Sequence, residues 1–261
     1  MAEPLSVAII TLNAGEQIEA CLKSAAFANE ILVVDSGSSD ATLDIAHRAG
    51  ATIIQQSWLG FGKQKQFAVE KAKYDWVLCL DADERVSDAL RISIQRELEA
   101  PRFYAYRMPR RNRFMGRWLK HGEGYPDLSL RLFHRAHAAW SDDSVHEKVI
   151  TQTPAGRLNG DLLHESETSI ENYIEKQNRY TSLQAQALYA RGKHTHILQL
   201  LFSSPLRFIK LYLFRLGFMD GVPGLIHILI GCSNSFIKYA KLIALSGEKT
   251  TSVEDGRSKN D

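Results

Sequence analysis

From Leu5 to about Glu99, short apolar runs rich in β-branched residues alternate with stretches whose apolar residues recur at helical spacing. The pattern predicts strands at Ser6–Thr11, Ile31–Asp35, Ala51–Gln55 and Trp76–Asp81. Between them it predicts helices at Glu16–Ser24, Thr42–Ala49 and Gly62–Lys73, and a fourth helix runs from its cap Ser87 to about Glu99. Asp40 is placed to cap the second helix. Strand and helix in alternation are the mark of βαβ units, so the fold class is α/β, with a Rossmann-like, mostly parallel sheet flanked by helices.

After Pro101 the pattern breaks. Arg102, Arg107, Arg110, Arg111, Arg113 and Arg117 are interleaved with Tyr, Phe and Trp up to about Tyr125. This stretch reads either as a solvated loop with edge strands, its arginines packed on aromatics, or as a flexible cationic wall for phosphorylated ligands. Helical spacing resumes in Ser169–Ala190, Pro205–Leu216 and about Leu225–Leu245, with Pro205 suited to a first helical turn. The chain thus divides into an α/β domain over 1–165, with parts 1–100 and 101–165, a helical appendage over 166–246, and a polar tail over 247–261 expected to be disordered.

Composition narrows the class. With 261 residues, 44% hydrophobic and 24% charged, there is material for one α/β core and an appendage. A net charge of +2 lacks the basic excess of a nucleic-acid binder. Cys21, Cys79 and Cys232 are far apart and form no CxxC, so neither a disulfide framework nor a zinc site is expected, and a reducing cytosol fits. The opening residues Met1–Leu5 lack the basic n-region and long apolar h-region of a secretory signal, so no export is expected. The weakly charged run Val222–Ile237 is shorter than the ~20 residues of a spanning helix, and it contains His227, Ser233 and Asn234. In Pro205–Leu216, however, Arg207, Lys210 and Arg215 share one arc and apolar residues fill most of the rest. That helix reads either as packed on protein or as lying in the plane of a membrane, its basic face on anionic headgroups.

Right-handed crossovers put the carboxyl ends of parallel strands on one edge, where ligands bind at the point of strand reversal. In the order 3-2-1-4, Asp35 and Asp81 end the strands on either side of the first and flank Thr11, Leu12 and Asn13. The apolar strand Trp76–Leu80 runs into Asp81-Ala82-Asp83-Glu84. Carboxylates so closely spaced at a strand end call for a compensating cation. Hard oxygen ligands suit Mg²⁺ or Mn²⁺, which fill their remaining positions with water and phosphate oxygens, so a nucleotide diphosphate is the natural companion. Ser36 to Asp40, after Asp35, reads either as turn and cap chemistry or as a turn that leaves Asp35 free for a base or ribose. A dinucleotide site is excluded by the lack of GxGxxG after the first strand, and Gly60-Phe61-Gly62-Lys63-Gln64 lacks the spacing of a P-loop.

Taken in order, Thr11-Leu12-Asn13, Val33-Val34-Asp35-Ser36-Gly37-Ser38-Ser39-Asp40-Ala41-Thr42 and Leu80-Asp81-Ala82-Asp83-Glu84 resemble the motifs of family-2 inverting glycosyltransferases with the GT-A fold. Gly62-Lys63-Gln64-Lys65-Gln66, Leu130-Arg131-Leu132-Phe133, Val145-His146-Glu147, His164-Glu165-Ser166 and the stretch Arg215 to Lys241 resemble the bacterial lipopolysaccharide inner-core β-glucosyltransferase branch. Gln66 departs from the Asn often found there. The resemblance implies that 1–100 is the nucleotide-sugar half and 101–165 the acceptor half. It implies further that Thr11, Asn13 and Asp35 line the nucleoside pocket, with Lys63 also on the donor, that Asp81 approaches the ribose or the metal, and that Asp83 binds the metal at the diphosphate.

A base must still deprotonate the acceptor hydroxyl. Glu147, just before a strand predicted at Lys148–Thr151, is the favoured candidate, with His146 as a metal, phosphate or positioning residue. An ion pair is the bland alternative for Glu147, and Asp127, Asp142 and Asp143 are rival bases. His164 is either a structural histidine or a further ligand of metal or diphosphate. The resemblance implies transfer of glucose from UDP-glucose to the heptose inner core of lipopolysaccharide, on the inner leaflet, with no protein partner. The alternatives are a polyprenyl-linked or other glycan acceptor, and a non-catalytic membrane-bound scaffold.

Overall fold

The computed structural model describes residues 2–142, 147–165, 169–193 and 195–257, with side chains of the last helix described up to residue 246. The elements are β1 Leu5–Thr11, α1 Ile18–Ala25, β2 Glu30–Asp35, α2 Thr42–Arg48, β3 Thr52–Gln55, α3 Phe61–Lys71, β4 Trp76–Asp81, β5 Glu84–Val86, α4 Asp88–Glu99, β6 Ala105–Phe114 and β7 Arg117–Trp118. They continue as β8 Asp127–His134, β9 Ala138–Trp140, β10 Val149–Thr151, β11 Gly156–Arg157, β12 Leu162–His164, α5 Ile170–Ala190, α6 Ile197–Phe208 and α7 Gly221–Arg257.

All of β1 is buried, because both faces of the sheet are covered and alternate residues feed two cores. Val7 and Ile9 pack with Ile18, Leu22, Leu78 and Leu80, while Ala8 and Ile10 pack with Val34, Val69, Val77 and Phe133. The main path of the sheet runs β3-β2-β1-β4-β8-β6-β12-β5. β1 is parallel to β2 and β4, with Thr11 opposite Asp35 and Ile10 opposite Asp81. The order 3-2-1-4 expected from the sequence is the one found. Ser87 caps α4 as expected, its side chain accepting from the Leu90 N–H at 3.3 Å, whereas the N-cap of α2 is Ala41 and Asp40, one residue earlier, accepts from the Thr42 N–H at 3.0 Å.

Beyond β4 the sheet turns mixed, with β8 antiparallel to both β4 and β6. Here the loop and edge-strand reading needs correction. β6 is an interior strand with Tyr106 and Met108 fully buried, and several of the guanidiniums that suggested a cationic wall are engaged. Arg110 pairs with Asp127 at 2.7 Å, Arg111 with Asp161 at 3.7 Å, and Arg85 and Arg113 both hold Glu165.

The chain forms two compact units, one of Met1–Arg113 and Pro126–Ser166, the other of Phe114–Tyr125 and Glu167–Asp261. The segment Phe114–Tyr125 therefore belongs with the helices and not, as expected, with the rest of 101–165. The reason is polar: Asp220, 2% exposed, accepts the backbone N–H groups of Lys120 and His121 at 2.9 and 2.7 Å. Within this unit Pro205 lies inside α6 and not at its start, since the helix begins at Ile197. A proline there removes one helical hydrogen bond, and the backbone widens to a π-helical turn over Ile209–Phe214 soon after it. Of the basic arc, Arg207 turns to Glu123 and bonds Ser235 at 2.8 Å, while Lys210 and Arg215 are exposed, Arg215 reaching the Tyr125 carbonyl at 3.2 Å. The weakly charged run is also longer than it reads in sequence, with Gly217–Ser246 continuous at a mean hydropathy of 1.3. α7 then continues to Arg257, through polar residues expected to lack order.

Candidate active site

The loops after β1 and β2 are laced together at the carboxyl edge of the sheet. Asp35 is fully buried, and its Oδ2 accepts the N–H groups of Gly37 and Ser38, both at 2.9 Å, while Ser38 Oγ donates to Oδ1. Gly37 takes φ 105°, a conformation that glycine adopts without strain. Asn13, in the left-handed region at φ 50°, accepts the Ser39 N–H at 2.8 Å and donates its own N–H to Ser38 Oγ at 2.8 Å. Asp35 is thus occupied by its own turn, the alternative to the free nucleotide contact of the donor-pocket reading. Thr11 is buried beside it, and its hydroxyl has no partner among the described residues.

At the end of β4 the carboxylates are sorted into two environments. Asp81 is neutralised from both sides: Lys65 Nζ lies 3.1 Å from Oδ1 and Arg131 Nη2 lies 2.9 Å from Oδ2. Burial would raise the Asp81 carboxyl, but the Arg131 and Lys65 charges outweigh it and hold the group well below the usual carboxylate range. Glu84, 0% exposed, accepts from Arg131 at 2.8 Å and from the Asp81 N–H at 3.0 Å. Burial opposes the Arg131 charge too, yet Glu84 and Asp81 more than compensate and keep the guanidinium protonated. Asp81, expected at the ribose or metal, is therefore already supplied with cations.

Asp83 is different. Its Oδ1 is buried with no partner among the described residues, and its Oδ2 lies 3.4 Å from His164 Nε2. His164 arrives through strand register, β12 running antiparallel to β5 with His164 opposite Glu84. Its Nδ1 lies 2.6 Å from Asn112 Oδ1. An amide oxygen only accepts, so Nδ1 carries a proton, and in the neutral ring Nε2 would hold the lone pair that a metal takes. Among the described residues no group of three or more His, Cys, Asp or Glu could hold a metal ion. Asp83 and His164 nonetheless fit Mg²⁺ or Mn²⁺, which commonly rest on one or two protein ligands and take phosphate and water for the others.

Glu147 accepts an ion pair from Lys65 at 3.1 Å, so one ammonium bridges it to Asp81. Lys63, the expected donor contact, is an exposed lysine 3.3 Å from Asp142. Lys65 and Arg131 are the site residues not singled out from the sequence, although Lys65 carried a signal. Gly62, Lys65, Ala68 and Val69 form the buried stripe of α3, and a lysine on such a stripe needs an anion. Gln66 serves the frame, its Oε1 accepting the Trp140 N–H at 3.0 Å. Asp127 is held by Arg110, while His146 and Asp143 lie outside the described residues. Burial pushes the Cys79 thiol up to about 11, so it is no nucleophile near neutrality.

Residues 6–153 match the family described as Glycosyl transferase family 2. The chain is 32% identical over 248 residues to the lipopolysaccharide core biosynthesis glycosyltransferase LpsC of Rhizobium meliloti (strain 1021), with 92% of each chain covered. It is 31% identical over 263 residues to the uncharacterized glycosyltransferase RP128 of Rickettsia prowazekii (strain Madrid E), covering 93% of this chain and 87% of that one. Among solved structures, it is similar to glucosyl-3-phosphoglycerate synthase from Mycobacterium tuberculosis in complex with Mn²⁺, UDP and glucosyl-3-phosphoglycerate, at 21% identity and a TM-score of 0.37. That likeness covers 42% of this chain and 44% of the synthase, so the chain spans under half the length of that structure.

Proposed function

This chain belongs to glycosyl transferase family 2, and on that basis we propose that it is an inverting, divalent-metal-dependent hexosyltransferase that moves glucose from UDP-glucose to the heptose inner core of lipopolysaccharide. Its fold is GT-A-like, a mixed, mostly parallel sheet flanked by helices. The observation that carries the reading is Asp83, a partly exposed carboxylate whose buried Oδ1 has no partner among the described residues, beside His164 at the end of β4. A divalent ion on Asp83 and His164 supplies charge neutralisation for a departing diphosphate. The acceptor class is supported by the likeness to LpsC, whose name ties it to lipopolysaccharide core biosynthesis.

Lys65 orients Glu147 by holding its Oε1, and Glu147 takes the proton of the acceptor hydroxyl as that oxygen attacks the anomeric carbon. One displacement inverts that centre. Thr11, Asn13 and the Asp35 turn form the rim on which the nucleoside rests, with Asp35 acting through the turn it builds. Glu147→Gln is expected to keep the hydrogen bond to Lys65 while losing the base. Turnover should fall by roughly two to four orders of magnitude, with the Kd for UDP-glucose within a factor of about three of the parent protein's. Equal losses in turnover and donor binding would remove Glu147 from the role of base.

We place the enzyme at the cytoplasmic face of the plasma membrane, a reading supported by the exposed apolar side chains of α6 and of the turns after it. The decisive assay uses lipopolysaccharide extracted from a strain lacking this chain, with UDP-, GDP- or dTDP-sugars and Mn²⁺. The core should gain a single hexose from UDP-glucose. An inner core of unchanged mass in that strain overturns the acceptor assignment, and transfer to a polyprenyl-linked glycan replaces it. Absence of nucleotide diphosphate release from every donor would leave only the scaffold reading.

A further inference from the structure

The helical unit is built with its polarity reversed. On α6 the side chains of Ile197, Leu198, Leu201, Phe202 and Leu206 recur on one side of the helix, and all are between 54 and 68% exposed. Phe214, in the π-helical turn, is 80% exposed. The opposite side of α6 is polar and faces the interior: Ser204 Oγ donates to the Cys232 carbonyl at 2.7 Å, and Arg207 meets Ser235 and Glu123. α7 follows the same rule toward α5. Asn234 donates to Gln177 at 2.9 Å, and Lys241 Nζ donates to Asn178 Oδ1, Thr181 and Ser182 at 2.7 to 2.9 Å.

Burial from water contributes little to such a unit, since among the described residues its buried apolar cluster is small, Leu211, Ile228 and Cys232 with Phe208 and Tyr212 packed against it. Hydrocarbon does, because there an unpaired polar group is costly and packing selects small residues and interhelical hydrogen bonds. Both signs are present. A Cβ on Gly217 would meet the Leu211 carbonyl oxygen at 2.7 Å, and one on Gly224 the Gly217 carbonyl oxygen at 2.8 Å, so these backbones approach where glycine alone permits. Ile197–Phe214 and Gly217–Ser246 are each long and apolar enough to cross a bilayer, with 6 and 28% buried in the fold. A protein partner would be met by a patch with a polar rim, whereas here Arg207, Asp220 and Lys241 are held by partners within the unit, and Arg215, though exposed, is tied to the Tyr125 carbonyl. Lys210 is exposed and has a stem long enough to reach the headgroups. On α5, by contrast, Glu171, Glu175 and Arg179 are exposed to water.

From this inversion we infer that α6, the turns after it and the apolar side of α7 are embedded among the acyl chains of a bilayer, not adsorbed to its headgroups, while α5 stays in water. The inference rests on the membrane location proposed above and adds depth to it. The test is flotation of the full chain with vesicles of phosphatidylethanolamine and phosphatidylglycerol, followed by washes in high salt and in alkaline carbonate. Embedding requires that the protein float, survive both washes and bind vesicles of neutral phosphatidylcholine to within a factor of about three.

The Leu198→Asp/Phe202→Asp variant should lose roughly tenfold or more of its bound fraction while its donor hydrolysis in solution stays unchanged. Flotation that is reversed by salt or carbonate, or that needs the anionic lipid, overturns embedding and leaves the membrane location standing. No flotation at all overturns both, and a discrete oligomer found with it would make a second copy of the chain the cover of this face. A double variant that floats as well as the parent would also overturn the inference.

Discussion

Asp83→Ala is expected to reduce transfer by about a thousandfold or more, because the cation that it helps to hold is worth several kcal/mol at the departing diphosphate. The same substitution should leave the ligand-free protein as stable as before, or more stable by about 1 kcal/mol, since it removes a buried oxygen that has no partner among the described residues. This combination separates a ligand from a framework residue, whose loss costs stability and activity together. Initial rates with UDP-glucose and the core acceptor give the first quantity, and urea unfolding gives the second. Thermal stabilisation by Mn²⁺ with UDP, expected in the parent protein, should vanish in the variant. Chelation should silence the parent to the same level. A variant that retains its Mn²⁺ response, or an enzyme indifferent to chelator, would sink the metal assignment.

What was legible in the sequence follows from how local each signal is. β1, β2 and β4 are runs of apolar residues with both faces buried, so their positions, their order and the edge that carries Asp35, Asp81 and Asp83 could be read before any coordinates. What each carboxylate does there was less accessible, because the partners come from far away. Lys65 reaches Asp81 across 16 residues and Glu147 across 82, and Arg131 reaches Asp81 across 50. No spacing rule connects them, so neither the two cations beside Asp81 nor the place of Lys65 between Asp81 and Glu147 is legible in the sequence. His164 is an intermediate case: register opposite Glu84 brings it to Asp83, and register follows from pairing that the sequence did not specify.

In the helical unit a different assumption failed. In the sequence, Pro205–Leu216 reads either as packed on protein or as lying in the membrane plane with a basic face on headgroups, and the second reading supposes that its charges face outward. Arg207 instead turns to Glu123, a residue 84 positions earlier, and so the outer surface is left to the apolar side chains. Amphipathic spacing shows that a helix has two faces. It is silent on which of them is turned inward, and that depends on the solvent.

Arg131→Met is expected to be the most destabilising single change in the catalytic domain, at roughly 3–5 kcal/mol. Its Nη2 lies 2.8 Å from Glu84 Oε1 and 2.9 Å from Asp81 Oδ2, and Glu84 is 0% exposed. Removing the guanidinium leaves Arg110, 3.7 Å from Glu84, as the nearer remaining cation for that buried carboxylate. Asp81 keeps Lys65, so the loss falls chiefly on Glu84. Adding Glu84→Gln should therefore recover most of it, because a neutral amide of the same shape has no charge to compensate and can still accept the Asp81 N–H. The cycle Arg131→Met, Glu84→Gln and the double variant, read from urea midpoints at constant m-value, should give a coupling above about 2 kcal/mol. A coupling near zero would mean that water reaches Glu84 once the guanidinium is gone, and the buried pair would then be a packing element and not the electrostatic anchor of the β4 edge.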